Sequence, residues 1–133
     1  MSWVRVEIRT HARNCLIDIT PKIAALIEKA GIEDGAAIVY IPHTTAAVTV
    51  NEGADPDVVR DILSFLESKI PKDCGFRHFE GNSDAHIKSS LVGVSQTIPI
   101  KGSKLALGVW QKVYFCEFDG PRERGFLVSL VKF

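Results

Sequence analysis

Val4, Val6 and Ile8 alternate with Arg5, Glu7 and Arg9 near the start of the chain. A period of two is that of a strand with one face in a core and the other in water, so "WVRVEIRT" predicts a half-buried strand. "CLIDIT" predicts a second. The period then lengthens: in "TPKIAALIEKAG", Thr20 stands as the N-cap of a helix, Pro21 at its first position and Gly31 just beyond its end. "GAAIVYIP" and "AAVTVNE" are two β segments interrupted by "HTT". The clearest helix is "DPDVVRDILSFLESKI", with Asp55 capping, Pro56 first, and Val58, Ile62, Leu63, Leu66 and Ile70 spaced as one apolar stripe before Pro71 ends it.

A loop leads to "NSDAHIKSSL", a short helix with polar residues in its opening turns, and strands then dominate. "SQTIPI" and "KLAL" flank a "KGS" turn, "GVWQKVYFCEFD" is long and aromatic, and "GFLVSLVKF" closes the chain. Strands bracket helices without a regular βαβ alternation. The pattern predicts one α+β domain over residues 1–133, with a mostly antiparallel β core and two to three helices.

Composition narrows the function classes. At 133 residues, 46% of them hydrophobic and 24% charged, the chain can bury one real core and has the make-up of a soluble globular protein. Sixteen basic residues balance sixteen acidic ones, which leaves no bulk field for nucleic acid or an anionic membrane. No apolar run approaches the roughly 18 to 20 residues of a membrane span, and no signal-peptide stretch opens the chain, so a cytoplasmic location is expected. Cys15, Cys74 and Cys116 are odd in number and far apart. They predict buried thiols in a reducing compartment, not a disulfide framework or a cysteine zinc site.

Candidate chemistry collects around three histidines. His43 opens "HTTAAVTVNE", His78 lies in "CGFRHFEGN", and His86 stands one turn into the short helix if Asn82 or Ser83 caps it. There it shares a stripe with Ser89, Ser90 and Gly93 at i+3, i+4 and i+7, small and polar where a core helix would carry leucine. A helix N-terminus favours an anion, so one reading makes His86 a ligand or proton carrier beside an anion site. The other makes it a partly exposed histidine with a local hydrogen bond. His11, among Arg9 and Arg13, reads as an exposed strand-turn residue.

Alternation in "GVWQKVYFCEFDGPRER" puts Gln111, Val113, Phe115, Glu117 and Asp119 on one face. That face either holds a metal or acid–base pair, or simply emerges into solvent. "DGPRER" projects Arg122 and Arg124 from a tight turn, and a guanidinium fork suits phosphate. Asn51 and Glu52 fall on opposite strand faces, and Asn51 is the better candidate to join His43.

"HTTAAVTVNEGADPDV", "GNSDAHIKSSLVG" and "LALGVWQKVYFCEFDGPRER" together resemble the YjbQ-like family, sometimes called the secondary thiamine-phosphate synthase family. The resemblance runs in order from about His43 to Arg124 and more loosely beyond. It implies a β-sandwich α+β fold assembled as a homotrimer. The activity it implies is that of a thiamine-phosphate synthase-type transferase, joining a pyrimidine methyl diphosphate to a thiazole phosphate with loss of pyrophosphate. The implied catalytic residues are His43, His86, Asn51, Glu117 and Asp119. Arg122, Asn82, Thr45 and Gln111 are expected to bind a phosphorylated small-molecule substrate. His43, His78 and His86 are expected to hold a divalent metal, zinc by ligand type or magnesium by diphosphate chemistry. Zinc-dependent hydrolysis of phosphorylated metabolites and metabolite binding without catalysis are the competing expectations.

Overall fold

Strand β1 (Val4–Arg9) pairs antiparallel with the last strand, β8 (Glu123–Lys132), so the chain ends where it began. The structure is a computed structural model and describes residues 2–133. Five strands make one sheet in the order β1, β8, β3 (Gly35–Tyr40), β5 (Ser95–Lys101) and β6 (Lys104–Leu105). Three more, β2 (Cys15–Asp18), β7 (Gln111–Glu117) and β4 (Ala46–Glu52), make the other with β7 central. Every pairing is antiparallel. The observed architecture is therefore the antiparallel α+β core that the patterning predicts, in the sandwich form that the resemblance implies.

Between the sheets, Val39, Ile98, Phe126 and Val128 meet Val48, Val113 and Phe115. Each such side chain contributes about 1.5–3 kcal/mol by leaving water. Helix α1 (Thr20–Ala30) closes the sandwich with Ile23 and Ile27, both fully buried. It stops at Gly31, whose φ of 66° allows its N–H to reach the carbonyls of Ile27 and Glu28. Its start differs from the expectation by one residue. Ile19, drawn wholly into the core, takes the N-cap position, while the Thr20 hydroxyl accepts the Val113 N–H at 2.8 Å and so ties the helix to β7.

The second sheet is covered on both faces, which the alternation of β7 did not reveal. Its outer face packs Ala47, Cys116 and Phe118 against Ala85 of helix α3 (Ser83–Val92). Residues 113–118 are consequently all buried, and the predicted polar face does not emerge into solvent. Helix α2 (Pro56–Lys69) begins as predicted, with the Asp55 carboxylate accepting the Asp57 N–H at 2.9 Å, and its apolar stripe is half-buried.

Helix α3 is inverted. It turns Asp84, Lys88 and Ser89 inward and leaves Ile87 and Leu91 exposed. Arg13 grips Asp84 with two hydrogen bonds, at 2.9 and 3.0 Å. The fully buried Lys88 ammonium donates to Asp84, Glu67 and Asn14 at 3.0–3.2 Å. Cys15 and Cys116 are buried as expected, but Cys74 is exposed, because it falls in the polar loop after α2 with no element to cover it. Among the described residues no helix is long and apolar enough to cross a membrane.

Candidate functional site

Pro42 decides where the cleft forms. The β3–β8 ladder pairs Tyr40 with Leu127, and two residues further in that register Gly125 falls opposite Pro42. Proline has no N–H to give, so the ladder stops and the Gly125 peptide group is left facing empty space. The next side chain fills it. His43 Nε2 lies 2.9 Å from the Gly125 carbonyl oxygen and 3.2 Å from the Gly125 amide nitrogen. Burial, reinforced by the nearby Arg124 charge, holds the His43 imidazole below its ordinary pKa, against a smaller upward pull from Gly125. This lowering favours the neutral form of the ring.

Beside it, Arg124 and Glu117 form a buried ion pair, 6% and 0% exposed. Arg124 donates to both Glu117 oxygens, at 2.9 Å through Nε and 2.5 Å through Nη2, and Nη2 reaches the Thr45 hydroxyl at 2.8 Å. Thr10 Oγ1 donates to Glu117 Oε1 at 2.7 Å, and the N–H groups of Phe118 and Asp119 donate to Oε2. Burial pushes this carboxyl up, but the donors, Arg124 foremost, outweigh it and hold its pKa below the ordinary glutamate value. Gly120 completes the enclosure: a Cβ there would lie 2.7 Å from Glu117 Cγ and 2.8 Å from Thr10 Oγ1. Arg124 Nη1 makes no hydrogen bond among the described residues, yet it is not sealed from solvent as Asn82 Oδ1 is. It is the free edge of a fixed guanidinium.

Helix α3 forms the opposite wall. The Ser89 hydroxyl donates to the Ala46 carbonyl at 2.6 Å, and the Gly93 carbonyl accepts the Val48 N–H. Between this wall and the β3–β4 crossover opens a cleft of about 1020 Å³, lined by His43, Thr44, His86, Ser89, Ser90 and Arg124 among others. The predicted stripe of His86, Ser89, Ser90 and Gly93 faces it intact.

A family model described as "UPF0047 protein YjbQ-like" matches residues 4–132. The chain belongs to the YjbQ/UPF0047 family. A UPF0047 protein of Methanocaldococcus jannaschii, MJ1081, is 55% identical over 127 residues, covering 96% of this chain and 92% of that protein. The family member YugU of Bacillus subtilis is 46% identical, covering 95% and 96%. Among solved structures, an uncharacterized conserved YjbQ/UPF0047 protein of Clostridium acetobutylicum superposes with a TM-score of 0.94 at 48% identity, over 96% of this chain and 99% of that one. A hypothetical protein of Aeropyrum pernix K1 gives 0.94 at 35% identity, over 100% of both chains. The family's description names no reaction.

The residues proposed on the YjbQ-like resemblance do not all meet at the cleft. His43 and His86 line the cleft, and Thr45 supports it through Arg124. His78 faces a neighbouring hollow of about 450 Å³, where its ring sits edge-on to His86 with centroids 5.6 Å apart. Glu117 lies beneath the cleft with its oxygens committed to donors. Asp119 accepts from Asn82 at 2.8 Å and Arg122 at 3.0 Å, and these hydrogen bonds, after an opposing effect of burial, keep its carboxyl pKa low. That cluster joins the start of α3 to the β7–β8 turn, and its residues do not line the cleft. Asn51 and Gln111 pair with β7 and β4 neighbours at the far end of the second sheet, and a seven-residue strand, β4, of about 20 Å separates them from His43. Asn51 there accepts its neighbour's N–H at 2.7 Å, and Gln111 that of Gly108 at 2.8 Å. His11 is an exposed turn residue, as expected.

Arg124, not Arg122, is the guanidinium at the cleft. Arg122 folds back onto Asp119 and remains half-exposed. The cue was present in the sequence: Arg124 shares its strand parity with Phe126, Val128 and Leu130, which face the core. The α3 N-terminus does not serve the cleft either, because Ser83 faces the smaller hollow and the cleft runs along the helix flank to Gly93.

The three histidines do not fit a three-ligand zinc site within one chain. Among the described residues no three His, Cys, Asp or Glu side chains converge closely enough to hold an ion. The carboxylates that would suit magnesium are already engaged by arginine, asparagine and backbone donors.

Proposed function

We propose that the cleft binds the phosphate or diphosphate of a small metabolite, and that the protein acts on it as a transferase of the thiamine-phosphate synthase type. The observation that carries this reading is Arg124 in the wall of the cleft, its Nη1 unbonded among the described residues and not sealed from solvent, opposite the Ser89 and Ser90 flank of α3. In such a reaction the thiazole nitrogen lone pair forms a bond to the pyrimidine methylene carbon as the carbon–oxygen bond to diphosphate breaks. The electron pair leaves on pyrophosphate. Donors fixed in advance at the departing oxygens stabilise that transition state more than the ground state. Arg124 is suited to the task because Glu117 and Thr45 hold it still, and its ion pair makes it a directional donor more than a net charge. His43 and His86 lie within the same cleft to exchange protons or hydrogen bonds with the substrate.

The test is pyrophosphate release from the two phosphorylated precursors by the wild-type chain and by Arg124→Lys and His43→Ala variants whose melting is checked in parallel. The expected result is turnover in the wild type and at least a tenfold loss in each folded variant. No turnover in the wild type removes the transferase assignment. The same proposal takes the working form to be the homotrimer that the family resemblance implies, consistent with the outward apolar side chains Phe79, Ile87 and Leu91. Light scattering should return three times the 14.6 kDa chain mass.

A further inference from the structure

We propose that His43 is a tautomer switch set by the ligand: its Nδ1 presents either a lone pair or an N–H to the cleft, and the group bound beside it decides which. The inference rests on the anion-binding reading of the cleft and adds the means by which a neutral ring accommodates an anion.

The geometry comes from the broken ladder. In a β-strand the N–H and C=O of one residue point to the same side, and at Gly125 that side is the one Pro42 leaves unpaired. Both groups therefore converge on one ring atom, with Nε2 at 2.9 Å from the oxygen and 3.2 Å from the nitrogen. If Nε2 carries the proton, it donates to the Gly125 carbonyl and Nδ1 is a bare acceptor. If Nδ1 carries the proton, the Gly125 N–H donates to Nε2 and Nδ1 is a donor. Each tautomer keeps one bond to Gly125 and sets the other Gly125 group against a like one, so the backbone, although its shorter contact leans toward the carbonyl, does not fix the choice.

The cleft does. Nδ1 has no partner among the described residues, and it is not sealed from solvent. The ionic groups acting on the ring are Arg124, Arg5 and Glu117, and the two cations disfavour its protonation. A phosphate oxygen, an acceptor only, selects the Nδ1–H form, so the anion is met by an N–H without the ring becoming charged. A ligand hydroxyl or amine selects the other form and meets a base. A histidine held by a single backbone carbonyl has no such choice, because that bond fixes its tautomer.

The experiment is ¹⁵N NMR of the full chain with labelled histidine at pH 8, above the ordinary imidazole range of about 6.5. The His43 signals are identified by their loss in His43→Asn. In the free protein both ring nitrogens should resonate between the donor and acceptor limits, reporting two populated tautomers. Saturating inorganic pyrophosphate, with binding followed by calorimetry, should move Nδ1 to the donor limit and Nε2 to the acceptor limit. A single pure tautomer in the free protein that persists when pyrophosphate is bound overturns the switch and leaves the anion site standing. If pyrophosphate does not bind, the anion-binding reading fails, and the free-protein spectrum still decides: mixed tautomers support the switch, one pure form overturns it.

Discussion

Among the described residues two ionic clusters have buried centres, Lys88 with Asp84 and Arg124 with Glu117, and Arg124 lines the cleft. Beneath α3, Lys88 spends all three ammonium protons on Asn14, Glu67 and Asp84, and Arg13 closes on both Asp84 oxygens. Beneath the cleft, Glu117 is just as fully engaged, but its partner Arg124 keeps one nitrogen unbonded among the described residues. Burial and charge are common to both. What separates a fastening from a binding group is the hydrogen-bonding capacity left over and the direction in which it points.

The largest effect is expected at Arg124. Replacing it with alanine strands a buried carboxylate, which costs about 3–5 kcal/mol, and removes the cleft donor as well. Denaturant unfolding and pyrophosphate titration should therefore fail together. Lys88→Met is the sharper control. Asp84 retains Arg13, so the loss should be smaller, about 1–3 kcal/mol, with ligand affinity at the cleft unchanged. A Lys88→Met protein that folds but no longer binds would show that the closed cluster serves the site.

The smallest effect is a pH dependence in two steps. His43 has a folded pKa below its unfolded value, so the unfolded chain binds the proton more readily and stability falls as pH drops below about 6.5. Glu117, Asp84 and Asp119 are also depressed, and their contribution is lost as pH falls further, from about 4 downward through their folded values. Melting measured across pH should show both steps in the wild type and only the acidic one in His43→Gln. A wild type whose stability rises on acidification would contradict both assignments.

Local signals carried most of the fold. Strand β1 followed its alternation, α2 its Asp55–Pro56 start, and β4 coincided with "AAVTVNE". The stripe from His86 to Gly93 was legible because helical spacing alone puts those residues on one flank. What escaped depended on partners distant in sequence. Asn51 looked close to His43 along the chain, but an extended strand carries its ends apart. Arg124 read as a turn residue beside Arg122, and Arg122 was preferred, because the last strand begins two residues earlier than its apolar run, at Glu123. No apolar periodicity marks α3, since its inward side chains are held by Arg13, Asn14 and Glu67, up to 74 residues away.

That inversion has a consequence for how the cleft is maintained. A helix with an apolar stripe is pressed home by water, whereas α3 is clamped mainly by electrostatic grips that reach it from the β1–β2 loop and α2. One whole side of the cleft, His86 and both serines included, thus hangs on ion pairs sunk out of reach of dissolved ions, which screen such pairs far less than surface ones. In strong brine this side should stay in place beside the hydrophobic sandwich behind it.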